Sequence, residues 1–389
     1  MTDLPAILGG TPLFDSPLPF ARPTLEDQSR VENLIGRSLS SGQLTDGPVT
    51  RTLEETVVER FGVDHCVAVS SCTTGLLLVI QALGIDGAVG LPSFTFAATA
   101  HAIRWNGLEP HFLDCDASTW CLTPHTVEGP ISALVAVHVS GVPCDVRRLE
   151  ELAANLGVPL VFDAAHGAGS MVAIEDGSRS LGGFGVAEVF SLTPTKVLSG
   201  AEGGLVTTND ASLAEQIRMA RNYGNPGDYN TQFPGLNGRL SEMHAALALV
   251  AFDYLEERVE HRNQVADRYQ ELLGDVPGIG FQHVRPGDRS SYKDFTILVG
   301  DDFGCSRDRA VAALASEGVS TRKYYSPPVH RHQAYADLQP RQLPVTDALG
   351  DRVISLPIWS HLPLGDVDRV AVAIRRIQEH AEALPAADE

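Results

Sequence analysis

Three short runs in this chain set polar side chains behind apolar segments, where a folded sheet would present them to a ligand. Asp163 follows the apolar run VPLVF and opens the segment FDAAHGAG. Lys196 ends LTPTK, behind EVFSL and ahead of SGAEGG, whose small residues let a loop lie close against a bound molecule. Ser70–Thr74 precede the apolar stretch GLLLVIQ, so that hydroxyls and free N–H groups at a helix start form an anion site. A carboxylate leaving a buried strand is costly unless a cation compensates it. Taken singly, each run has an ordinary structural use: a strand-end Asp makes a turn, a loop Lys is solvated, and a Ser/Thr run caps a helix. The ordered set points to one site.

One organic cofactor uses all three features. Pyridoxal phosphate calls for a carboxylate that keeps its pyridine nitrogen protonated, a lysine that captures its aldehyde, and a helix N-terminus for its phosphate. Its pyridinium is then the cation that offsets the burial of Asp163. Phe96, in PSFTF behind another apolar run, is placed to cover one ring face. Other motifs are missing: GGFGVA lacks the G-x-G-x-x-G spacing, and neither G-x-x-x-x-G-K-[ST] nor H-E-x-x-H occurs. His330 and His332 flank Arg331 without a matching carboxylate cluster, so no metal is expected.

These positions need a scaffold that gathers strand ends. Short apolar runs (Cys66–Ser70, VGLPSFTF, HFLDCD, ISALVAVHVSG, VPLVFDAA, EVFSL, GGLVTTND) alternate with helical stretches such as RTLEETVVERFG, DVRRLEELAANLG and SLAEQIRMARNYG. That alternation predicts an α/β fold with a mostly parallel sheet covered on both faces. In such a sheet ligands sit beyond the carboxyl ends of the strands, where all three runs fall. From Leu240 to Leu273 the sequence reads as one long helix, a hinge to a smaller α/β unit containing YKDFTILV, DRAVAALASEG and RVAVAIRRIQEHAEAL. A large domain over 1–253, with residues 1–25 as an extended arm, and a small domain over 254–389 are expected. The tail ALPAADE is expected to fray.

Composition narrows the partners. The 389 residues allow two or three domains at roughly 100–200 each and a cleft between them. A net charge of −20 repels phosphate backbones, so nucleic acid is not an expected partner. No apolar run reaches the ~18 residues that span a bilayer, so no membrane partner is expected either. Six cysteines without C-x-x-C pairs read as reduced packing residues, and the first residues lack a secretory pattern, which together predict a cytoplasmic protein.

The whole ordered set resembles the sugar aminotransferases of the DegT/StrS type, within the fold type I pyridoxal phosphate enzymes. SGQLTDGP, VSSCTTGL, PSFTFAATAHAI, FDAAHGAG, SLTPTK with EGG, RNYG, GLNGRLSEMHAA and LPVTD with RVISLPIW match that family's segments in order. The resemblance implies a catalytic pair in which Lys196 carries the cofactor and Asp163 meets its ring nitrogen. Phe96 stacks on the ring and His166 lies near its hydroxyl. Thr73, the backbone of Cys72, and Ser191 hold the phosphate, with Asn237 reaching in from a neighbouring subunit, so that a homodimer with shared sites is implied. Cys72, Ser140 and Leu192 depart from the family's usual Gly, aromatic and Phe. Retention of Lys196, where related sugar dehydratases carry His, favours transamination over dehydration. The implied donor is glutamate and the implied acceptor a nucleotide-linked ketosugar, with Arg239, Arg322, Lys323 and His330 as candidates to bind it. TRKYYSPPVHRHQAY resembles the subgroup that aminates C-4 of a dTDP-4-keto-6-deoxyhexose. AILGGTP also resembles cyclitol (scyllo-inosose-type) aminotransferases, and a dehydratase or a non-catalytic binding protein completes the alternatives.

Overall fold

Runs such as ALVAV and AEVFS, apolar at every position, suit strands that have no solvent face. In the computed structural model, which describes residues 4–339 and 341–386, they form the middle of a seven-stranded sheet. The N-terminal half runs α1 (Gln28–Ser41), α2 (Pro48–Phe61), β1 (His65–Val69), α3 (Cys72–Ala82), β2 (Ala88–Pro92), α4 (Ala97–Trp105), β3 (Glu109–Leu113), β4 (Ala133–Val137) and α5 (Val146–Leu156). It continues through β5 (Leu160–Asp163), the hairpin β6 (Met171–Ile174) and β7 (Gly177–Ser180), β8 (Ala187–Ser191), β9 (Gly204–Thr208) and α6 (Ala211–Ala220). After it come α7 (Glu242–Asp253), α8 (Leu255–Leu273), β10 (Ile279–Phe281), β11 (Phe295–Val299), α9 (Arg307–Ser316), α10 (Pro344–Arg352), β12 (Val353–Leu356) and α11 (Leu364–Glu379).

The large sheet has the order β1-β9-β8-β5-β4-β2-β3. The pairs from β8 through β5, β4 and β2 to β3 are parallel, and β9 runs antiparallel to both of its neighbours. The fold is therefore α/β with a mostly parallel sheet, as the alternation of strands and helices predicts. Successive residues serve opposite faces: Phe162 and Phe190 join the core under α2, while Val161 and Val189 join the core under α3. Truncating either buried phenylalanine to Ala would cost about 3–5 kcal/mol. A second sheet, β10-β11-β12, is fully antiparallel. It packs with α8, α9 and α11 around Tyr269, Phe295, Phe303 and Ile374, and Phe14 and Leu18 of the N-terminal segment are buried in the same core.

Local chemistry sets the helix ends. Asp145 and Ser241 cap α5 and α7 by accepting from the N–H groups of Arg148 and His244. Gly157 ends α5 in the left-handed conformation with φ at 67°. The single helix expected over Leu240–Leu273 is two. It breaks at Tyr254, whose N–H bonds the carbonyl of Ala251. Helix α7 is apolar almost all round and buried against α1 and α2, whereas α8 exposes one face and packs on α11, so one straight axis cannot serve both cores. The tail also departs from expectation, because Leu384 is buried in the second core and its carbonyl accepts from Arg309. Only the last part of that expectation, residues 387–389, lies outside the described residues. None of the described helices is long and apolar enough to cross a membrane.

Candidate active site

The parallel strands β4 and β5 end in register, with Val137 opposite Asp163, and β8 passes Asp163 at Val189 and ends two residues further on at Ser191. Loops after β1 and β2 open at the same edge. Because β9 is reversed, its first residue, Gly204, meets the start of α3 there, and a Cβ on it would stand 2.6 Å from the nitrogen of Cys72. These ends surround a cavity of about 270 Å³ lined by Thr73, Phe96, Asp163, His166, Ser191 and Lys196, among others. That is just below the ~300 Å³ lower end for small-molecule sites, a size suited to one aromatic ring with its substituents.

Asp163 is buried at the end of β5. Its Oδ2 accepts a 2.7 Å bond from the Thr99 hydroxyl, and its Oδ1 accepts from the N–H of Ala165 at 3.1 Å. Burial pushes its carboxyl above the usual range, and the Thr99 and Ala165 bonds with nearby Lys196 pull it back. Such a group gains from a cation at its free edge. Lys196 sits in a turn closed by its own N–H to the carbonyl of Thr193. Burial, followed by the neighbouring Lys293, brings its ammonium down from 10.5 to about 8. A lysine in that state yields its proton near neutrality, as a nucleophile or base must.

His166 is fixed by a bond from the Ser140 N–H to its Nδ1 at 3.2 Å. Burial, then the two lysines, holds the ring well below its ordinary range, so it is neutral and its proton is on Nε2. Ser140 adopts φ of 59°, which aims its N–H at the imidazole. Helix α3 is capped by Ser71, whose Oγ accepts from the N–H of Thr74 at 3.0 Å. Cys72 and Thr73, which contribute to the unpaired N–H groups of a first helical turn, line the cavity. Cys72 heads the helix without the left-handed backbone that would demand glycine. Its thiol is pushed well up by burial and by Asp163.

Phe96 lines the cavity and is 63% exposed, and the remaining anticipated residues lie outside it. Lys323 pairs with Asp308 at 2.5 Å outside the crevice, and the guanidinium of Arg322 covers Phe20. His330 bonds Ser93 at 2.6 Å and faces Asp347 in a separate cavity of about 510 Å³. Arg239 bonds Asn222 and stacks over Tyr223, and Asn237 is exposed beside it. Sequence reasoning missed Thr99, Lys293, Tyr324 and Tyr325, which bond to Asp163 or line the cavity. Thr99 was within reach of the first-turn spacing, three residues after Phe96. The chain has only three lysines, two of them in this cavity, and that count was the available signal for Lys293.

A carboxylate in need of a cation, a lysine near 8, a neutral imidazole and a helix start are a donor set that fits pyridoxal phosphate. Residues 26–375 match the DegT/DnrJ/EryC1/StrS aminotransferase family. The chain belongs to that family. It is an aminotransferase, and its cofactor is pyridoxal phosphate. Over 356 residues it is 31% identical to an Escherichia coli dTDP-4-amino-4,6-dideoxy-D-glucose transaminase, covering 90% of this chain and 95% of that one. It is 33% identical to an Acidithiobacillus ferrooxidans UDP-N-acetyl-3-dehydro-alpha-D-glucosamine 3-aminotransferase over 356 residues, 88% of this chain and 92% of the other. The solved structure of DesI in the presence of its TDP-sugar product superposes with a TM-score of 0.91 at 36% identity, over 98% of each chain.

Proposed function

We propose that this aminotransferase carries an amino group from L-glutamate to C-4 of a dTDP-4-keto-6-deoxyhexose, in deoxysugar biosynthesis. The observation that carries the acceptor is the likeness to DesI, a TDP-sugar enzyme, over 98% of both chains. The E. coli relative, named for a dTDP-4-amino sugar, supports the same reading. Lys196 argues against dehydration, because the family resemblance gives related sugar dehydratases His at that position.

Bound pyridoxal phosphate supplies an aldehyde that takes the amino group and a ring that takes up the electron pair released at the donor carbon. Lys196 holds the cofactor at rest, and its amine, freed and unprotonated near pH 8, moves the proton away from the donor carbon and back. Asp163, held by Thr99, would set its carboxylate at the ring nitrogen. His166 would donate from Nε2 to the ring hydroxyl, and Phe96 would cover one ring face. The start of α3 at Cys72 and Thr73, with Ser191, would hold the phosphate.

The partner subunit's Asn237 completes that phosphate site in a homodimer. Exposed Tyr223, Tyr229 and Leu236 beside it support an interface there, Tyr229 being 95% exposed. A nucleotide sugar is too long for the cavity, so its nucleotide diphosphate lies outside it, and the separate positions of Arg239, Lys323 and His330 do not make one diphosphate site. The lobes divide at 253/254, and the enzyme is cytoplasmic, as its free cysteines suggest.

Turnover of glutamate with a panel of dTDP-4-ketosugars, UDP-3-ketosugars and inositol ketones tests the acceptor. Preference for the first group is expected, and turnover of either other group alone would overturn it. Borohydride reduction should fix the cofactor on Lys196, read by peptide mass. Heterodimers of Lys196→Ala and Asn237→Ala chains should regain activity, and an inactive verified heterodimer would refute site sharing.

A further inference from the structure

The chain has three lysines, and Lys196 and Lys293 line the same cavity. Lys293 stands just before β11 on a segment bound to the floor of the site. The Ser291 hydroxyl donates to the carbonyl of His166 at 2.7 Å, and the N–H of Ser291 donates to Ser170 Oγ at 3.0 Å. From behind, the Arg262 guanidinium donates to the carbonyls of Tyr292 and Lys293 at 2.9 and 3.1 Å. The ammonium of Lys293 is therefore delivered from a rigid backbone. It is 6% exposed, lies 5.3 Å from the centre of the Tyr324 ring, and pairs with Asp294 at 2.7 Å.

Burying an ammonium and a carboxylate together rarely improves stability over an apolar pair, so the arrangement calls for a use. The transamination supplies one. Its two substrates share the cavity in turn, and they differ in charge: an amino acid brings a carboxylate on the reacting carbon, a ketosugar does not. That carboxylate must enter a dry site next to Lys196, and leaving it unpaired would be prohibitive. Among the described residues lining the cavity, the cations are Lys196, occupied by the chemistry, and Lys293.

We propose that Lys293 is the specificity residue for the amino-acid donor, its ammonium receiving the donor's α-carboxylate while Asp294 serves as stand-in anion when the neutral sugar ring occupies the site. The reading rests on an amino-acid donor. A lysine suits the task better than an arginine, since one compact ammonium on a flexible stem can shift between two carboxylates without breaking a bidentate fork. Asp294 stays close to Arg262, whose guanidinium burial depresses to about 10 and Asp294 partly restores, so it keeps a counter-charge when Lys293 turns away.

The test is a cycle between enzyme and donor on the cofactor-loaded protein. 2-Methylglutamate lacks the α-proton, so it binds without turning over, and its dissociation constant is read from the cofactor absorbance. Its α-carboxamide analogue keeps everything except the charge. The wild type should bind the acid about 10- to 100-fold more tightly than the amide, the worth of one charge-assisted bond. Lys293→Met should lose that discrimination, and Lys293→Arg should keep part of it. In turnover, Lys293→Met should raise KM for glutamate at least tenfold more than KM for the sugar. A Lys293→Met protein that still discriminates as the wild type does overturns the assignment, and so does a wild type that binds acid and amide equally, which needs no variant to fold. A wild type that takes its amino group from an amine without a carboxylate would instead sink the donor reading.

Discussion

Replacing Lys196 with Met should make the cofactor-free protein more stable at pH 7, although it abolishes the reaction. Burial, with Lys293 nearby, lowers the Lys196 ammonium from 10.5 to about 8. Between those values the unfolded chain holds a proton that the folded chain has lost, so stability climbs as pH rises through the window. Below pH 8 the folded protein bears the full penalty of a buried ammonium, and above 10.5 it bears none. The difference of about 2.5 units corresponds to at most about 3 kcal/mol, and because part of the side chain opens to the crevice, about 1–3 kcal/mol is expected. Urea unfolding of cofactor-free wild type and Lys196→Met at pH 7, 8.5 and 10 reads it directly. The variant's advantage should be largest at pH 7 and shrink steadily toward pH 10. A difference that does not change with pH, or a variant less stable at pH 7, would refute the view that its surroundings disfavour the charged form of this amine. The same depression gives catalysis a free amine near neutral pH.

Two neighbours of the site make further tests. Thr99→Val removes the 2.7 Å hydroxyl bond to Asp163 while keeping the shape, so cofactor affinity should fall about tenfold or more; an unchanged dissociation constant by equilibrium dialysis would show that the bond does not support the charge. Glu242 of α7 is fully buried and accepts from the N–H groups of Gly47, Val49 and Thr50 at the start of α2. Glu242→Ala should cost about 3–5 kcal/mol in urea unfolding, and a loss below about 1 kcal/mol would mean that water replaces the carboxylate there.

Sequence alone determined the fold class and singled out several residues that line one cavity, for a physical reason: strands buried on both faces must be apolar throughout, and a polar residue at the end of such a run stands out. Asp163, Lys196 and the Ser70–Thr74 run were legible on that ground, and the structure brings Asp163, Lys196 and Thr73 to one cavity. The helix from Leu240 to Leu273 was misread because periodicity records that residues are helical, not where the axis must turn to serve a second core. Lys293, Tyr324 and Tyr325 lie about 100 residues and more beyond Lys196 in sequence, on segments that follow α8, and no spacing along the chain announces that they return to the same cavity. Protonation, too, was decided only in three dimensions. Nothing local marks Lys196 for about 8 or His166 for a neutral ring, since both follow from burial and from charges brought near by folding.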